Sequence, residues 1–359
     1  PQSLTLTASN SFDGVTTVNN GILLVTHGNA LGSTNGNTVV KAGTGGYLQL
    51  SGGITIPEPL YLDWQRPNPQ NTTQHIYESL LNLSGTNTLT GLITCSRTRI
   101  YLSANTKLVF TGGIKNSDGY LIFSIPPTSI AEISGAPVQS PGNLLYLLDN
   151  GLLVVNAPSN VWTVTYIQGG TTFRADQQNT LPADSQIRLI LSTSTLNLNG
   201  YDQTVAGIYN DCSGVIRSDT PATLTVNQAG DSLYKGKLNG AVSLVKDGGG
   251  TLVLSNTLST TTGDITVTNG TLAAAFANSL GNSTNVLVTG GTLELRVPDT
   301  VFNAARLSVS GGGTVSVAGG IVETVAELFL NGVQRKSGTW GSTASGADHT
   351  DDTHFSGNG

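Results

Sequence analysis

The sequence predicts an all-β fold, a single parallel β-solenoid, because it contains short strands, tight turns between them and repetition of the whole pattern. Residues 243–272 show the first two features. Leu252 and Leu254 occupy every second position of one run, and Ile265 and Val267 occupy every second position of the next. This alternation is the two-residue period of a half-buried strand. Each run is short, as expected for one wall of a solenoid coil.

Turn residues separate these runs where the chain needs positive φ. They are Gly at 248–250, Thr-Gly-Asp at 262–264 and Asn-Gly at 269–270. Asn-Gly between alternating runs would equally suit a β-hairpin. The local pattern therefore leaves an antiparallel meander open, and the case for a solenoid rests on repetition.

The same order of motifs occurs three times. Residues 14–50 contain a strand, an Asn-Gly turn, a small corner and a second strand, and residues 263–295 repeat this order at nearly the same spacing. A third copy spans residues 168–200. Because one coil cannot bury its own apolar face, several stacked copies are what a solenoid requires.

The composition supports this interpretation and limits the partners. Charged residues make up only 11% of the 359 residues and there are 45 glycines, so long charged helices should be scarce. The formal net charge of −6 argues against nucleic acid or an anionic membrane as partner, since both need clustered Lys and Arg. The apolar runs are too short for membrane insertion.

The three copies, together with residues 201–205, 231–236 and 244–255, resemble the autotransporter-associated β-strand repeats of large surface and secreted passenger proteins. The resemblance covers most of the chain from about residue 10. It implies a right-handed parallel β-helix that is secreted or displayed on the cell surface, with an adhesive or scaffolding role. It supplies no catalytic residue and no cofactor.

The resemblance also suggests the domain organisation. Residues 1–320 are predicted to form the solenoid, and residues 321–359 a C-terminal capping segment of the same domain. Residues 325–357 resemble the terminal segment that often follows such repeats, and the family pattern implies one more strand after Gly359. No comparable cap precedes Leu4.

One long insertion interrupts the repeat pattern near residues 63–79. Pro67 and Pro69 argue against a central strand there, because proline cannot donate to a sheet ladder. The sequence therefore predicts a loop that projects from the solenoid wall.

This insertion carries the candidate ligand-binding residues Trp64, Arg66, His75 and Tyr77. Aromatic rings stack on sugar faces and anchor protein partners. In the alternative interpretation, Trp64 and Tyr77 fold back and cover the solenoid wall.

The residues Asp348, His349, Asp351, Asp352 and His354 are metal-ligand types within one short segment. Their spacing matches neither an EF-hand nor a zinc signature. We interpret the segment as a polar turn and predict no metal site.

Polysaccharide-cleaving enzymes also use parallel β-helices, so a lyase or glycoside hydrolase is the alternative from another functional class. Such chemistry needs paired carboxylates across a groove, or a base with a cation. The acids of this chain are instead scattered singly. They include Asp13, Glu58, Asp63, Glu78, Asp118, Glu132 and Asp149. No catalytic residue is predicted.

The two cysteines, Cys95 and Cys212, would lie about six coils apart if a coil takes roughly 20 residues. That separation, on the order of 28 Å at the usual strand spacing, exceeds the reach of a disulfide. Both are predicted to be small buried hydrophobic residues.

These observations predict a non-catalytic extracellular or cell-surface β-solenoid that acts as adhesin, stalk or scaffold. Open strand edges can join another chain, and a contact that does not close makes a filament, so end-to-end self-association into a fibre belongs to this class. A glycan or another cell-surface molecule is the expected partner. A glycan-binding module that uses the Trp64 loop is the second alternative.

Overall fold

The computed structural model describes residues 2–63, 78–256 and 258–359. The chain divides into two compact units, Pro1–Ser185 and Gln186–Gly359. Helix is as scarce as the composition predicted, since the described residues contain one 3₁₀-helix, Ala42–Thr44, and no α-helix. In the part of the chain that is described, no helix has the length and apolar character to cross a membrane.

The first unit consists of short strands separated by corners. In chain order they are β1 (Ser3–Leu6), β2 (Thr16–Val18), β3 (Gly21–Val25), β4 (Thr38–Lys41), β5 (Gly46–Leu50), β6 (Thr55–Ile56), β7 (Leu60–Asp63), β8 (Glu78–Asn82), β9 (Thr86–Leu89), β10 (Ile93–Ser96), β11 (Thr98–Leu102), β12 (Lys107–Phe110), β13 (Ile114–Asn116), β14 (Tyr120–Ser124), β15 (Ile130–Ser134), β16 (Val138–Gln139), β17 (Leu144–Leu148), β18 (Leu152–Asn156), β19 (Val164–Ile167) and β20 (Thr172–Ala175).

These strands pair in parallel and form three sheets. Within this unit, sheet A has the order β1-β3-β5-β8-β11-β14-β17-β19, sheet B the order β2-β4-β7-β10-β13-β16 and sheet C the order β6-β9-β12-β15-β18-β20. From β5 to β18 the chain visits sheets A, C and B in turn. A residue therefore faces its counterpart one coil later, as Leu121 faces Leu145. This is the predicted β-solenoid.

The core of the first unit lies between the three sheets. Alternate residues of each strand point inward, so that Leu121, Phe123, Leu145 and Leu147 are all buried. The rings of Phe110 and Phe123 meet edge to face with 5.6 Å between their centroids. Each buried side chain of this size stabilises the fold by roughly 1.5–3 kcal/mol.

The second unit continues the same kind of pattern. Its strands are β21 (Gln186–Leu189), β22 (Thr195–Asn197), β23 (Gln203–Val205), β24 (Gly207–Ile208), β25 (Val215–Asn227), β26 (Ser232–Tyr234), β27 (Lys237–Asp247), β28 (Thr251–Leu254), β29 (Ile265–Val267), β30 (Thr271–Ala274), β31 (Asn285–Val288), β32 (Thr292–Leu295), β33 (Arg306–Val309), β34 (Thr314–Val317), β35 (Glu327–Leu330), β36 (Val333–Gln334), β37 (Trp340–Gly341), β38 (His349–Thr350) and β39 (Phe355–Gly357).

Two sheets dominate the second unit. Sheet D has the order β36-β35-β33-β31-β29-β27-β25-β22, with β23 also paired to β25, and sheet E has the order β26-β28-β30-β32-β34-β39. Two small pairs, β21 with β24 and β37 with β38, complete it. The long strand β25 turns a corner near Pro221, where the register shifts between Ser218 and Ala222.

The hairpin alternative for residues 265–274 is wrong. Strand β29 pairs with β27 and β31, and β30 pairs with β28 and β32, all in parallel. The Asn-Gly turn instead directs the chain from sheet D to sheet E. Gly270 has φ of +62°, and a Cβ atom there would overlap the carbonyl oxygens of Gly248 and Gly250. Only glycine fits this corner.

The last residues of the second unit are built differently from the coils before them. Strand β35 adds to β33 in parallel, but β36 folds back on β35 as an antiparallel partner. Strand β39 returns to sheet E beside β34. That residues 321–359 act as a cap stays a prediction.

Candidate contact surface of the first unit

The predicted ligand-binding residues Trp64, Arg66, His75 and Tyr77 lie outside the described residues, as does most of the predicted projecting loop. The described strands on either side show which sheets the insertion connects in chain order. Strand β7 is the sheet B strand of one coil, and β8 is the sheet A strand of the next coil. In a neighbouring coil the same corner is Arg97 alone, between β10 and β11. In chain order, the insertion therefore stands between a strand of sheet B and a strand of sheet A.

Charged groups surround this corner. Lys41, Asp63 and Ser96 lie opposite one another in register across three strands of sheet B. Arg97 donates from Nε to the Asp118 carboxylate at 3.1 Å, and both side chains are largely exposed. The Asp63 Oδ1 atom is buried and has no hydrogen-bond partner among the described residues. The surface around this corner is therefore polar and carries charges of both signs.

The outer face of sheet A carries a group of tyrosines. Tyr146 and Tyr166 lie opposite each other on β17 and β19, and their rings are stacked with 4.1 Å between centroids. Tyr120 meets the edge of Tyr146 at 5.6 Å and is 47% exposed. We call these three residues the tyrosine cluster. Because aromatic rings combine apolar area with a polar hydroxyl, such a cluster is suited to contact with sugars or proteins.

Aliphatic side chains extend this surface. Ile122 lies opposite Tyr146, and Leu144 lies opposite both Tyr120 and Val164. All three aliphatic residues are half-buried on the outward side of their strands. The outer face of sheet A is thus unusually apolar for a wall that faces solvent.

A polar network borders the cluster. The Arg99 Nη2 atom donates to Ser124 Oγ at 2.6 Å and to Asp149 Oδ2 at 3.3 Å, and Ser124 also contacts the Asp149 carboxylate. The network fixes the guanidinium beside the apolar surface. Its Nε atom is buried without a hydrogen-bond partner in the described chain.

Glu58 is the acid with the most altered environment. Its side chain is buried, its Oε1 atom accepts a hydrogen bond from Thr38 Oγ1 at 2.9 Å, and its Oε2 atom has no partner among the described residues. Burial raises the pKa of Glu58 to about 7, while the Thr38 hydrogen bond partly opposes the shift. A buried carboxyl of this kind can act as a general acid only beside a reacting group.

The other acids that the sequence suggested are mostly occupied by neighbours. Asp13 accepts from Ser33 and Asn35, which lowers its pKa. Glu132 pairs with Lys107 at 2.6 Å. The hydrogen-bond and ion-pair partners of Asp13 and Glu132 are thus hydroxyl, amide and ammonium groups. A glycosidase instead needs a second carboxyl group within about 10 Å of the first.

The residues of the metal-type segment have structural neighbours. Asp348 accepts from Thr339, Asp352 accepts from Thr343, and the His349 ring packs on Trp340. The remaining two are hydrogen bonded, with 2.9 Å between His354 Nδ1 and Asp351 Oδ2. Burial alone would raise the pKa of Asp351, but the hydrogen bond and charge of His354 lower it. The described residues contain no cluster of three or more metal-ligating side chains.

Both cysteines are free and buried, as predicted. Burial raises the pKa of Cys95 to about 12 and also raises that of Cys212. A thiol that resists ionisation is a poor nucleophile. The two side chains therefore act as small core residues.

Sequence reasoning missed the tyrosine cluster. Tyr146 and Tyr166 are separated by one coil, so a search for outward aromatic residues at the coil period would have found this pair. Tyr120 was not recoverable in this way, because it lies opposite Leu144 rather than Tyr146.

Comparisons with known proteins agree with the architecture. The passenger-associated-transport-repeat family matches residues 2–25 and 244–274. These two segments of the chain are thus similar to the passenger-associated-transport repeat. The second match covers most of the segment from which the solenoid was first inferred.

One relative of the chain is the protein named Adhesin BmaC autotransporter from Brucella suis biovar 1 (strain 1330). It is 32% identical over 157 residues, which are 44% of this chain and 4% of that adhesin. The chain thus spans only a small part of the relative's length. No solved structure matches the chain.

Proposed function

We propose that the chain is a non-catalytic part of a secreted or surface-displayed passenger protein, and that it has an adhesive role. The passenger repeat and the similarity to an autotransporter adhesin support this class of function. The observation that carries the proposal is the tyrosine cluster on the outer face of sheet A. The cluster and the insertion together would form the contact surface.

The expected partner presents flat apolar patches and is neutral or weakly charged. Sugar rings offer C–H faces to aromatic side chains, and protein partners offer apolar pockets. The net charge of −6 disfavours strongly anionic partners. We therefore expect a glycan or a glycoprotein at a cell surface.

A binding screen tests this function. The purified chain would be applied to a glycan array and to immobilised extracellular-matrix proteins, beside the variant Trp64→Ala and the matched variant Trp162→Phe. Trp162 is buried, and its Nε1 atom donates a hydrogen bond to Thr165. The Trp162→Phe variant therefore controls for a change in core packing. We expect binding that Trp64→Ala weakens and Trp162→Phe leaves unchanged. Absence of binding on every surface would contradict the adhesive role.

Incubation with polyuronates and β-glucans separates this proposal from the enzymatic alternative. An adhesive chain releases no soluble product from these polymers. Product release that requires one of the carboxylates would replace the proposal with a lyase or hydrolase.

End-to-end assembly is a further part of the proposal. Strand β1 has a parallel neighbour in β3, and most of its residues are exposed, with Leu4 62% exposed. An exposed strand edge can accept another chain. Electron microscopy should show filaments that Thr5→Pro shortens, because proline removes a ladder donor. Monodisperse particles at high protein concentration would rule out the fibre.

A further inference from the structure

A cavity of about 740 Å³ lies among the last coils of the second unit, beneath residues 320–328 and 334–340. Its inner wall consists of core residues, among them Leu295, Val315 and Phe355, each at most 5% exposed. A cavity of this size falls in the range that binds small molecules. The apolar wall suits a hydrocarbon rather than a sugar.

Two cations, Arg335 and Lys336, line this apolar space. Arg335 contributes to the cavity wall, and its backbone is held by a hydrogen bond from its N–H to the Leu328 carbonyl oxygen at 2.8 Å. Its guanidinium carbon lies 5.6 Å from the centre of the Trp340 ring. The Nε atom is buried without a hydrogen-bond partner, and no described carboxylate forms an ion pair with Arg335. A buried donor without a partner is costly.

The two acids of the cavity wall are already engaged. Glu327 forms an ion pair with Arg306 at 2.9 Å. Glu323 also lines the cavity, but its Oε2 atom accepts from the N–H and Oγ1 of Thr300 at 3.0 and 2.8 Å. Its Oε1 atom accepts from the Val301 N–H at 3.3 Å. Neither of these acids therefore forms an ion pair with Arg335 among the described residues.

We propose that this cavity binds an amphipathic carboxylate, such as a medium-chain fatty acid. The planar guanidinium offers parallel N–H donors that match a carboxylate, and the carboxylate would satisfy the buried Nε atom. The alkyl chain would pack on the apolar core residues. Lys336, which also lines the cavity and is exposed, adds positive charge and disfavours a cationic ligand.

Titration calorimetry of the full chain with dodecanoate, below its micellar concentration, tests the site. We expect saturable binding with one molecule per chain. Arg335→Gln should weaken dodecanoate binding at least tenfold, because a charge-assisted contact is lost, and should leave the binding of 1-dodecanol unchanged. Arg217→Gln is the matched control, since Arg217 pairs with Asp219 and neither residue is part of the cavity wall.

A second variant keeps the test independent of Arg335. Val317→Trp would fill the cavity from its wall and should abolish binding of both dodecanoate and 1-dodecanol. Circular dichroism checks that each variant keeps its β-structure. No saturable binding to the wild-type chain, or equal dodecanoate affinity in wild type and Arg335→Gln, would overturn the proposal. If dodecyltrimethylammonium binds as tightly as dodecanoate, the carboxylate specificity is wrong.

Discussion

Two buried ionisable residues show how the regular repeat differs from the irregular stretch before the insertion. Lys246 lies in the regular repeat of the second unit and is fully buried. Its Nζ atom donates to the carbonyl oxygens of Asp247, Gly248 and Asn269, at 2.9, 2.7 and 3.1 Å. Glu58 lies in the first unit, equally enclosed, but only one of its oxygens has a described partner.

The difference follows from the corners. In the regular repeat, glycine turns bring the carbonyl oxygens of two adjacent coils to one point, and a lysine side chain can reach them all. Next to the insertion, the chain around Glu58 provides one hydroxyl. A regular repeat can therefore supply hydrogen bonds to every donor of a buried charged group. In an irregular coil, part of the desolvation cost of such a group is not offset. The wall should be most stable where it is most regular.

The largest effect is expected from Lys246→Met. Three buried carbonyl oxygens would lose their donor, at roughly 1–3 kcal/mol each, partly offset because an ammonium no longer needs to be buried. We expect a loss of about 4 kcal/mol in the free energy of unfolding, measured by urea denaturation. Lys115→Met is the control, because Lys115 is exposed and its loss should change stability by under about 0.5 kcal/mol. Equal effects would show that the carbonyl contacts do not stabilise the corner.

The next effect tests the corner itself. Gly270→Ala would force a Cβ atom against two carbonyl oxygens and close to Lys246 Nζ at positive φ, and should cost about 3 kcal/mol. Gly249→Ala, in the facing turn, meets nothing within 4 Å and should be neutral. Thermal melting of the two variants gives the comparison. A stable Gly270→Ala variant would contradict the described turn.

A smaller effect, of opposite sign, is expected at Glu58. The folded-state pKa of about 7 lies above the ordinary value of 4.5, so the folded state holds the proton more tightly than the unfolded state. Its contribution to stability is complete below pH 4.5 and is lost as pH rises through 7. Glu58→Gln should remove this loss and raise stability at pH 8 by about 2 kcal/mol.

Stability measured between pH 4.5 and pH 8 checks this prediction. The wild type should lose stability across this range relative to Glu58→Gln, and the two should converge at the acidic end. Asp118→Asn is the control, because its ion pair with Arg97 is exposed and worth little. A wild-type profile parallel to that of Glu58→Gln would show that Glu58 is not buried as described.

The strand period and turn chemistry of residues 243–272 were enough to predict the coil, because inward Leu252 and the glycine corners repeat along the chain. The sequence could not predict Lys246 as a core residue. Alternation along the strand, with Leu244 inward and Val245 outward, places the Lys246 side chain inward. A lysine is nevertheless ordinarily assigned to the surface.

The contact surface was harder to predict than the wall. Coils of the first unit differ in length, so the spacing that relates Tyr146 to Tyr166 does not relate Tyr120 to Tyr146, and Tyr120 faces Leu144 instead. The predicted site at Trp64 rests on composition alone. The cavity at Arg335 had no sequence signal, because it depends on how β36 folds back.

The central claim is that adhesive contact is made by the tyrosine cluster rather than by the regular repeat. Its most direct test is the affinity of the chain for the strongest ligand of the binding screen, measured by surface plasmon resonance. The double variant Tyr146→Ala with Tyr166→Ala should bind at least tenfold more weakly. The matched variant Thr225→Ala with Thr266→Ala, on outward positions of sheet D, should bind like the wild type. Full affinity in the tyrosine variant, with loss in the threonine variant, would contradict the account.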